Sequence, residues 1–463
     1  MPAAGLRRRL LLALCAAAAL PAWALDAAEP LRLPTLAPRR RRLPNGLDVV
    51  LLPDAAGSGA GTVAVQVWYR VGGQDDPPGR SGFAHLFEHM MFKRTRHLAD
   101  EAFDRLTEDV GGHNNAFTTE DATAYLNVVP SHHLERLLWA EAERMAHLQV
   151  DEANFRSERA VVQAEFRQRV QADPYGPLFH GLAPALWQVH PYRRPVIGRI
   201  EDLDAATLDD VRRFHATYYR PDNATLIVAG GFDAAQAERW ITHHFGPLAA
   251  PPQPVPRVTA REPRRLRDDR VVLTAPAVPA PAVALLWLGP AARDGDAAAL
   301  RVAAALLGDG DSSRLALALV ERERLAQSAG FSADLHADAG LLSAWAIAAQ
   351  PTTGSTAARI EARLRRLEDA LLRELHRLAH GTLPIGELDK VRTRLLTDAL
   401  VARQTPEGRA LALGWAVVQH GDPAGADAEL ARLQTVRAED VQRVLRRHLL
   451  AQHRVALHYV EGR

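Results

Sequence analysis

The segment GFAHLFEHMMFK sets His85, Glu88 and His89 in the spacing H-x-x-E-H. On a helix, positions i and i+4 stack on one face with i+3 beside them, so two imidazoles can reach one metal ion with a carboxylate at hand. A metal ion that must also hold water or substrate takes three protein ligands and keeps a fourth position open. SERAVVQAEFRQR offers a third ligand: Glu158 and Glu165 stand seven residues apart, two helical turns along one face, with Val161 and Val162 between them to pack that helix down. Taken singly, each piece also has a plain structural reading. The histidines suit a solvated or core position beside an acid, and a glutamate pair suits a solvated helix face. Competing chemistries are poorly served: no G-x-S-x-G elbow occurs. GDGDSSR, at residues 308–314, lacks the lysine and spacing of a P-loop and reads as a turn at a helix end.

The elements that must position these groups follow from periodicity. After a Pro- and Arg-rich lead over residues 31–42, PNGLDVVLLP predicts a turn and a strand, and TVAVQVWYRVGG alternates as a second strand. Residues 82–93 have helical apolar spacing, strand signals return over 115–129, and helices are predicted over 131–148 and 151–171. LDDVRRFHATYY, a PDN turn and the strand ATLIVAGGF close the first half. APPQPVP, residues 250–256, reads as a linker that runs on as basic, polar sequence to residue 270. The pattern then restarts, with RVVLTAP and AVALLWLG as strands and residues 296–308 as an apolar helix. A constant offset of 230 residues lays LDAATLDDVRRF, from Leu203, over LQTVRAEDVQRV, from Leu433, and keeps strands 224–230 and 454–460 in frame. This indicates a duplication. The expected fold is α+β: two homologous α/β-sandwich halves, 25–249 and 271–463, each a mostly antiparallel sheet packed with helices, joined by a linker over 250–270. The same frame sets Leu388 and Leu395 opposite Glu158 and Glu165, and the apolar helix of the second half holds neither His nor Glu. The fold itself therefore does not require those carboxylates.

Composition narrows the class. The chain has 463 residues, 47% hydrophobic and 24% charged, which excludes a disordered chain and a disulfide-stapled miniprotein. The 56 basic and 55 acidic residues nearly cancel, so no general attraction to nucleic acid is expected. The basic residues are almost all arginine, with lysine only at Lys93 and Lys390. Residues 1–24 read as a cleavable signal peptide: Arg7 to Arg9, an apolar run of about a dozen residues, then Ala22-Trp23-Ala24. The alternative of an N-terminal membrane anchor falls short of the ~20 apolar residues a span requires. Leu14 before Cys15 is too large for a lipoprotein signal. Cleavage leaves 53 basic and 55 acidic residues, a net charge of −2, and removes Cys15, the one cysteine.

These motifs together resemble the pitrilysin, or insulinase, family of zinc peptidases, whose H-x-x-E-H inverts the commoner H-E-x-x-H. The resemblance extends through MMFKRT, GGHNNAFTTEDATAY, ERAVVQAE, HPYRRPVIG, FHATYYRPDNATLIVAG and LLGDGDSSRL. It implies one Zn2+ per chain held by His85, His89 and Glu165, with Glu88 as general base and Glu158 as a supporting acid. It also implies that an extended peptide adds as a strand along Asn114, Asn115, Ala116 and Phe117, a segment that reads equally well as an ordinary hairpin strand.

One departure from the family stands out. Its single-chain active members carry an Arg and a Tyr seven residues apart in the second half; LVERERLAQ has Val320 and Gln327 there, and no tyrosine lies between Tyr219 and Tyr459. The chain thus resembles the zinc-bearing subunit of two-subunit members, such as the β subunit of mitochondrial processing peptidase. A heterodimer is expected, with a homologous partner that lacks the zinc motif and supplies the Arg/Tyr pair. A self-sufficient homodimer is the alternative within the enzyme class, and a non-catalytic chaperone-like or assembly subunit the alternative outside it. The signal segment implies a periplasmic protein without a stable membrane anchor.

Overall fold

The strand TVAVQVWY alternates, yet neither of its faces suits water: Val63, Val65, Val67 and Tyr69 lie on one, Ala64 and Trp68 on the other, and all are buried. A sheet built on it needs a covering layer on both sides. A computed structural model describes residues 33–54, 61–350 and 356–462. The expected signal peptide, with Cys15, lies outside the described residues.

In the first half, β1 (Arg39–Arg42), β2 (Asp48–Pro53) and β3 (Thr62–Tyr69) precede helices α1 (Phe83–Met90) and α2 (Ala102–Glu108). The hairpin β4 (His113–Thr118) and β5 (Thr123–Pro130) leads to α3 (Leu134–His147) and α4 (Glu152–Phe166), which continues as a π-helical turn over Arg167–Gln171. Short helices α5 (Gly176–His180), α6 (Leu182–Leu186) and α7 (Ile200–Asp204) precede α8 (Leu208–Tyr218), β6 (Ala224–Gly230) and α9 (Ala234–Phe245). The second half runs β7 (Asp269–Ala275), β8 (Ala282–Gly289), α10 (Ala297–Gly308), β9 (Ala326–Leu335) and β10 (Gly340–Ala348). It ends with α11 (Ala357–His380), α12 (Ile385–Ala402), α13 (Pro406–His420), α14 (Gly425–Thr435), α15 (Ala438–Leu445) and β11 (Val455–Glu461).

The duplication is visible in the strand order. The sheets run β1-β2-β6-β3-β5-β4 and β7-β11-β8-β10-β9. In each, the last strand of the half inserts between the first two strands of the shared pattern, parallel to one and antiparallel to the other. All other pairings are antiparallel. Two α/β halves of one topology make up the described chain.

The offset of 230 also exposes an exchange of helices. It maps α13 onto residues 176–190, which hold α5 and α6. α13 lays Ala410 and Leu413 on the outer face of the first sheet, against Trp68, Ile227 and Ala229, and Trp415 meets Trp68 edge-on at 5.3 Å. Reciprocally, α6 packs on β8 and β11 of the second sheet, and Phe179 of α5 meets Trp345 edge-on at 5.5 Å. Each half supplies the cover the other's sheet lacks.

Several element edges differ from the sequence reading. Arg39–Arg42, read as part of the lead, form an edge strand, with Arg40 on Asp48 and Arg41 on Glu238. Four arginines carry no apolar alternation, so pairing alone reveals this strand. The signals over 115–129 resolve into the two strands of the β4–β5 hairpin. β7 starts at Asp269, within the span read as linker, because Asp269 and Arg270 pair with Val455 and Ala456. On α4, Val162 is buried but Val161 points to solvent, so one valine and not two packs that helix.

The approach of α13 to Trp68 depends on Gly414, where an added Cβ would lie 2.1 Å from Trp68 Cε2. We expect Gly414→Ala to destabilise the protein by about 1–3 kcal/mol, read as a lower denaturant midpoint. An unchanged midpoint would contradict this packing.

Candidate metal centre

The motif helix is fixed at its start and along its back. Asp76, itself buried, accepts hydrogen bonds from the first free N–H groups of the helix, Gly82 N at 2.7 Å and Ala84 N at 2.9 Å. Gly82 sits at φ +89°, and a Cβ there would lie 2.9 Å from Ile197 O, so this entry requires glycine. Along the back, Phe87 packs on Tyr219 at 4.6 Å and stacks on His215 at 5.4 Å. With Phe83, Phe87 and Met90 buried, α1 presents His85, Glu88 and His89 to α4 and β4.

α4 completes the set. It buries Phe155, Glu158 and Val162, a spacing that turns Glu165 toward α1 as well. Glu165 Oε2 lies 3.5 Å from His85 Nε2 and 3.5 Å from His89 Nε2. Donors on a tetrahedral zinc with bonds of about 2.0–2.1 Å stand roughly 3.3 Å apart. The ligand atoms of His85, His89 and Glu165 lie within 4.8 Å of one another, the one such group among the described residues. At 3.5 Å these contacts exceed good hydrogen bonds. Lone pairs that converge on one point rather than on donors fit a cation, and two imidazoles with a carboxylate suit zinc.

The electrostatics separate the two histidines. Burial, with the neighbouring His89 and Arg169, pushes His85 down to about 3, which keeps the imidazole neutral. Burial also acts on His89, but the carboxylates of Glu158, Glu88 and Glu165 outweigh it and raise its pKa. Glu158 faces His89 Nδ1 at 3.6 Å and pairs with Lys93 at 2.7 Å; these partners overcome its burial and hold it below the usual carboxylate range. Glu88 is raised by burial, and the Thr118 hydroxyl that donates to its Oε2 at 2.6 Å opposes this. Arg169, on the π-helical turn, reaches back to Glu165 Oε1 at 2.8 Å.

Comparison with known proteins identifies the family. Residues 54–199 match the family described as Insulinase (Peptidase family M16), and residues 205–395 match the Peptidase M16 inactive domain. The chain is 31% identical over 357 residues to a zinc protease, PqqE, of Helicobacter pylori, across 77% of this chain and 78% of that one. It belongs to peptidase family M16. A mitochondrial-processing peptidase β subunit of Mus musculus is 28% identical to this M16 chain over 277 residues, 58% of this chain and 54% of that one. Among solved structures, a protease from Helicobacter pylori superposes with a TM-score of 0.84 at 28% identity, across 92% of this chain and all of that one. The periplasmic protease PqqL of Escherichia coli shares the fold, with a TM-score of 0.70 at 19% identity over 93% of this chain and 48% of that one. Several of the relatives, PqqE among them, are named as zinc proteases. The "inactive" description of the second match agrees with a second half in which Leu388 and Leu395 lie on α12, the counterpart of α4.

The remaining residues singled out in the sequence fall in two places. Asn114, Asn115, Ala116 and Phe117 lie on β4, the edge of the first sheet, bonded to β5 on one side. Asn114 donates to Thr107 Oγ1 at 2.7 Å, Asn115 Oδ1 accepts from Ala116 N at 2.9 Å, and the Phe117 ring stacks on Trp415 at 5.5 Å. The side chains of Asn114 and Phe117 are thus engaged within the fold, and the outer edge of β4 pairs with no other strand among the described residues. Gln327, one of the two positions where the family resemblance implies an Arg/Tyr pair, is exposed at the start of β9 and donates to Tyr175 Oη at 3.3 Å. The sequence reading of no nearby phenol holds along the chain but not in space. Tyr175, which also bonds the backbone of Ala280, comes from the first half, and chain distance hid it.

Three residues at the centre were missed: Asp76, Thr118 and Arg169. Thr118 closes β4 in register with Thr123 of β5, and alternation along that strand puts it on the face of Asn114 and Ala116, toward α1. Because a hydrogen bond to a charged group contributes about 1.5–3 kcal/mol, Thr118→Val should lower kcat roughly tenfold or more while zinc content stays at the wild-type level. Wild-type kcat in that variant would remove Thr118 from the site.

Proposed function

We propose that this chain is a zinc-dependent endopeptidase that cleaves peptide bonds in extended or unfolded segments. The observation that carries the reading is the single carboxylate oxygen of Glu165 at 3.5 Å from both Nε2 atoms of α1, with Glu88 between those histidines in sequence. His85, His89 and Glu165 would hold one zinc ion. When bound, zinc polarises the scissile carbonyl and acidifies water. Glu88, raised in pKa by burial and aimed by Thr118, takes the proton of the attacking water and delivers it to the leaving amine. The substrate lies as an added strand on the free edge of β4, along Asn114 to Phe117, so that main-chain groups align the scissile bond without reading much sequence.

The chain acts as the catalytic subunit of a heterodimer. Val320 and Gln327 stand where the Arg/Tyr pair is expected, Tyr175 Oη is tied up by Ala280 and Gln327, and one relative is named as a β subunit. A homologous partner without H-x-x-E-H supplies the pair. Residues 1–24 direct export to the periplasm and are removed, and residues 25–249 and 271–463 are the two halves of the mature chain, joined by 250–270. No described helix is long and apolar enough to cross a membrane.

The test is cleavage of an unfolded polypeptide by wild type and by E88Q. Glu88→Gln should lose activity by a factor of about 10²–10⁴, the contribution of a general base, and keep its zinc. E88Q cleaving at the wild-type rate would overturn the assignment. Adding the partner should raise kcat; full activity of the isolated chain, unchanged by any homologous subunit, would overturn the heterodimer.

A further inference from the structure

Two carboxylates of α4 face the histidines of α1, and each keeps one oxygen on a cation. Glu158 Oε1 meets Lys93 Nζ at 2.7 Å while Oε2 faces His89 Nδ1 at 3.6 Å. Glu165 Oε1 meets Arg169 at 2.8 Å while Oε2 faces both Nε2 atoms. The cations are not equivalent. The Lys93 side chain is 25% exposed over a carboxylate that is 7% exposed, whereas Arg169 is 72% exposed. An ion pair in water holds little, but a buried carboxylate whose only cation is removed loses its reason to stay in place.

Lys93 is also placed to act on the motif helix. It lies one turn beyond His89, and the chain is folded tightly there, with Phe92 N on His89 O at 3.2 Å and Lys93 N on Met90 O at 3.1 Å. Its ammonium therefore ties the end of α1 to the middle of α4.

Resting on the zinc-site reading above, we propose that Lys93 is a positioning residue of the metal centre. By holding Oε1 of Glu158 it keeps Oε2 directed at His89 Nδ1–H, which sets the tautomer and ring orientation that present His89 Nε2 to zinc. The sign of the effect separates this role from simple electrostatics. Removing a positive charge near a dication should tighten zinc binding if charge alone matters; loss of orientation should weaken it.

The experiment measures zinc dissociation constants of the full chain by competition with a chromophoric chelator. Lys93→Met should weaken zinc about 10–100-fold, the usual cost of losing an outer partner of a ligating histidine. Lys93→Arg, which keeps a cation on Glu158 Oε1, should stay within about threefold of wild type. Glu158→Gln should weaken zinc as K93M does, and the K93M/E158Q double variant should be no weaker than E158Q alone, because Lys93 acts through Glu158. K93M that binds zinc as tightly as wild type, or tighter, overturns the proposal. So does a K93M effect that adds in full to that of E158Q and tracks a lower apo melting temperature, which would make Lys93 a packing residue. A wild-type chain that binds no zinc would instead overturn the metal-centre reading itself.

Discussion

The approach of α4 to α1, close enough to put one carboxylate oxygen 3.5 Å from two imidazole nitrogens, is the constraint on which the rest of the first half depends. Such a cluster is costly to assemble, since it gathers Glu88, Glu158 and Glu165 beside two histidines in a largely desolvated site. The structure offsets that cost locally. Lys93 and Arg169 take one oxygen each from Glu158 and Glu165, the Thr118 hydroxyl donates to Glu88, and Asp76 caps the helix that carries three of the five groups. Phe87, Tyr219 and His215 prevent α1 from rotating away.

Only one half holds this chemistry, yet the other half is needed to build it. Trp68 and its neighbours on the outer face of the first sheet are covered by α13, which belongs to the second half, and α5 and α6 return the cover to the second sheet. β4 depends on the same layer, because Phe117 packs against both Trp68 and Trp415. The strand that aims Thr118 at Glu88 is therefore seated on a helix contributed by the half without metal ligands. With helices exchanged, the half that lacks the His and Glu cluster still covers the sheet of the half that has it.

Much of this was legible in the sequence, for reasons that differ by element. His85, Glu88 and His89 were readable as one set, and Glu158 and Glu165 as another, because helical periodicity converts spacing directly into a shared face; the choice of Glu165 over Glu158 as the ligand came from the family resemblance. The duplicated topology was readable because an ungapped frame of 230 residues survived over the closing helix and strand of each half. Where periodicity was silent, the sequence was too. Arg39–Arg42 is a strand through pairing with β2 and not through alternation, and Trp68 carries no sign that its cover comes from residues 406–420. Thr118 and Tyr175 reach their partners across folded distance, and no local pattern distinguishes them from ordinary polar residues. Lys93 was visible as one of two lysines, but its role needed the position of Glu158.

The central claim is that a single zinc ion is bound by two imidazoles of one helix and one carboxylate of another. Zinc K-edge X-ray absorption on the metal-loaded full chain tests it most directly. The account predicts one zinc per chain, with two imidazole nitrogens at about 2.0–2.1 Å and carboxylate and water oxygens completing four ligands, and no sulfur shell. A shell of three or more imidazoles, or a second zinc of equal occupancy, would contradict it.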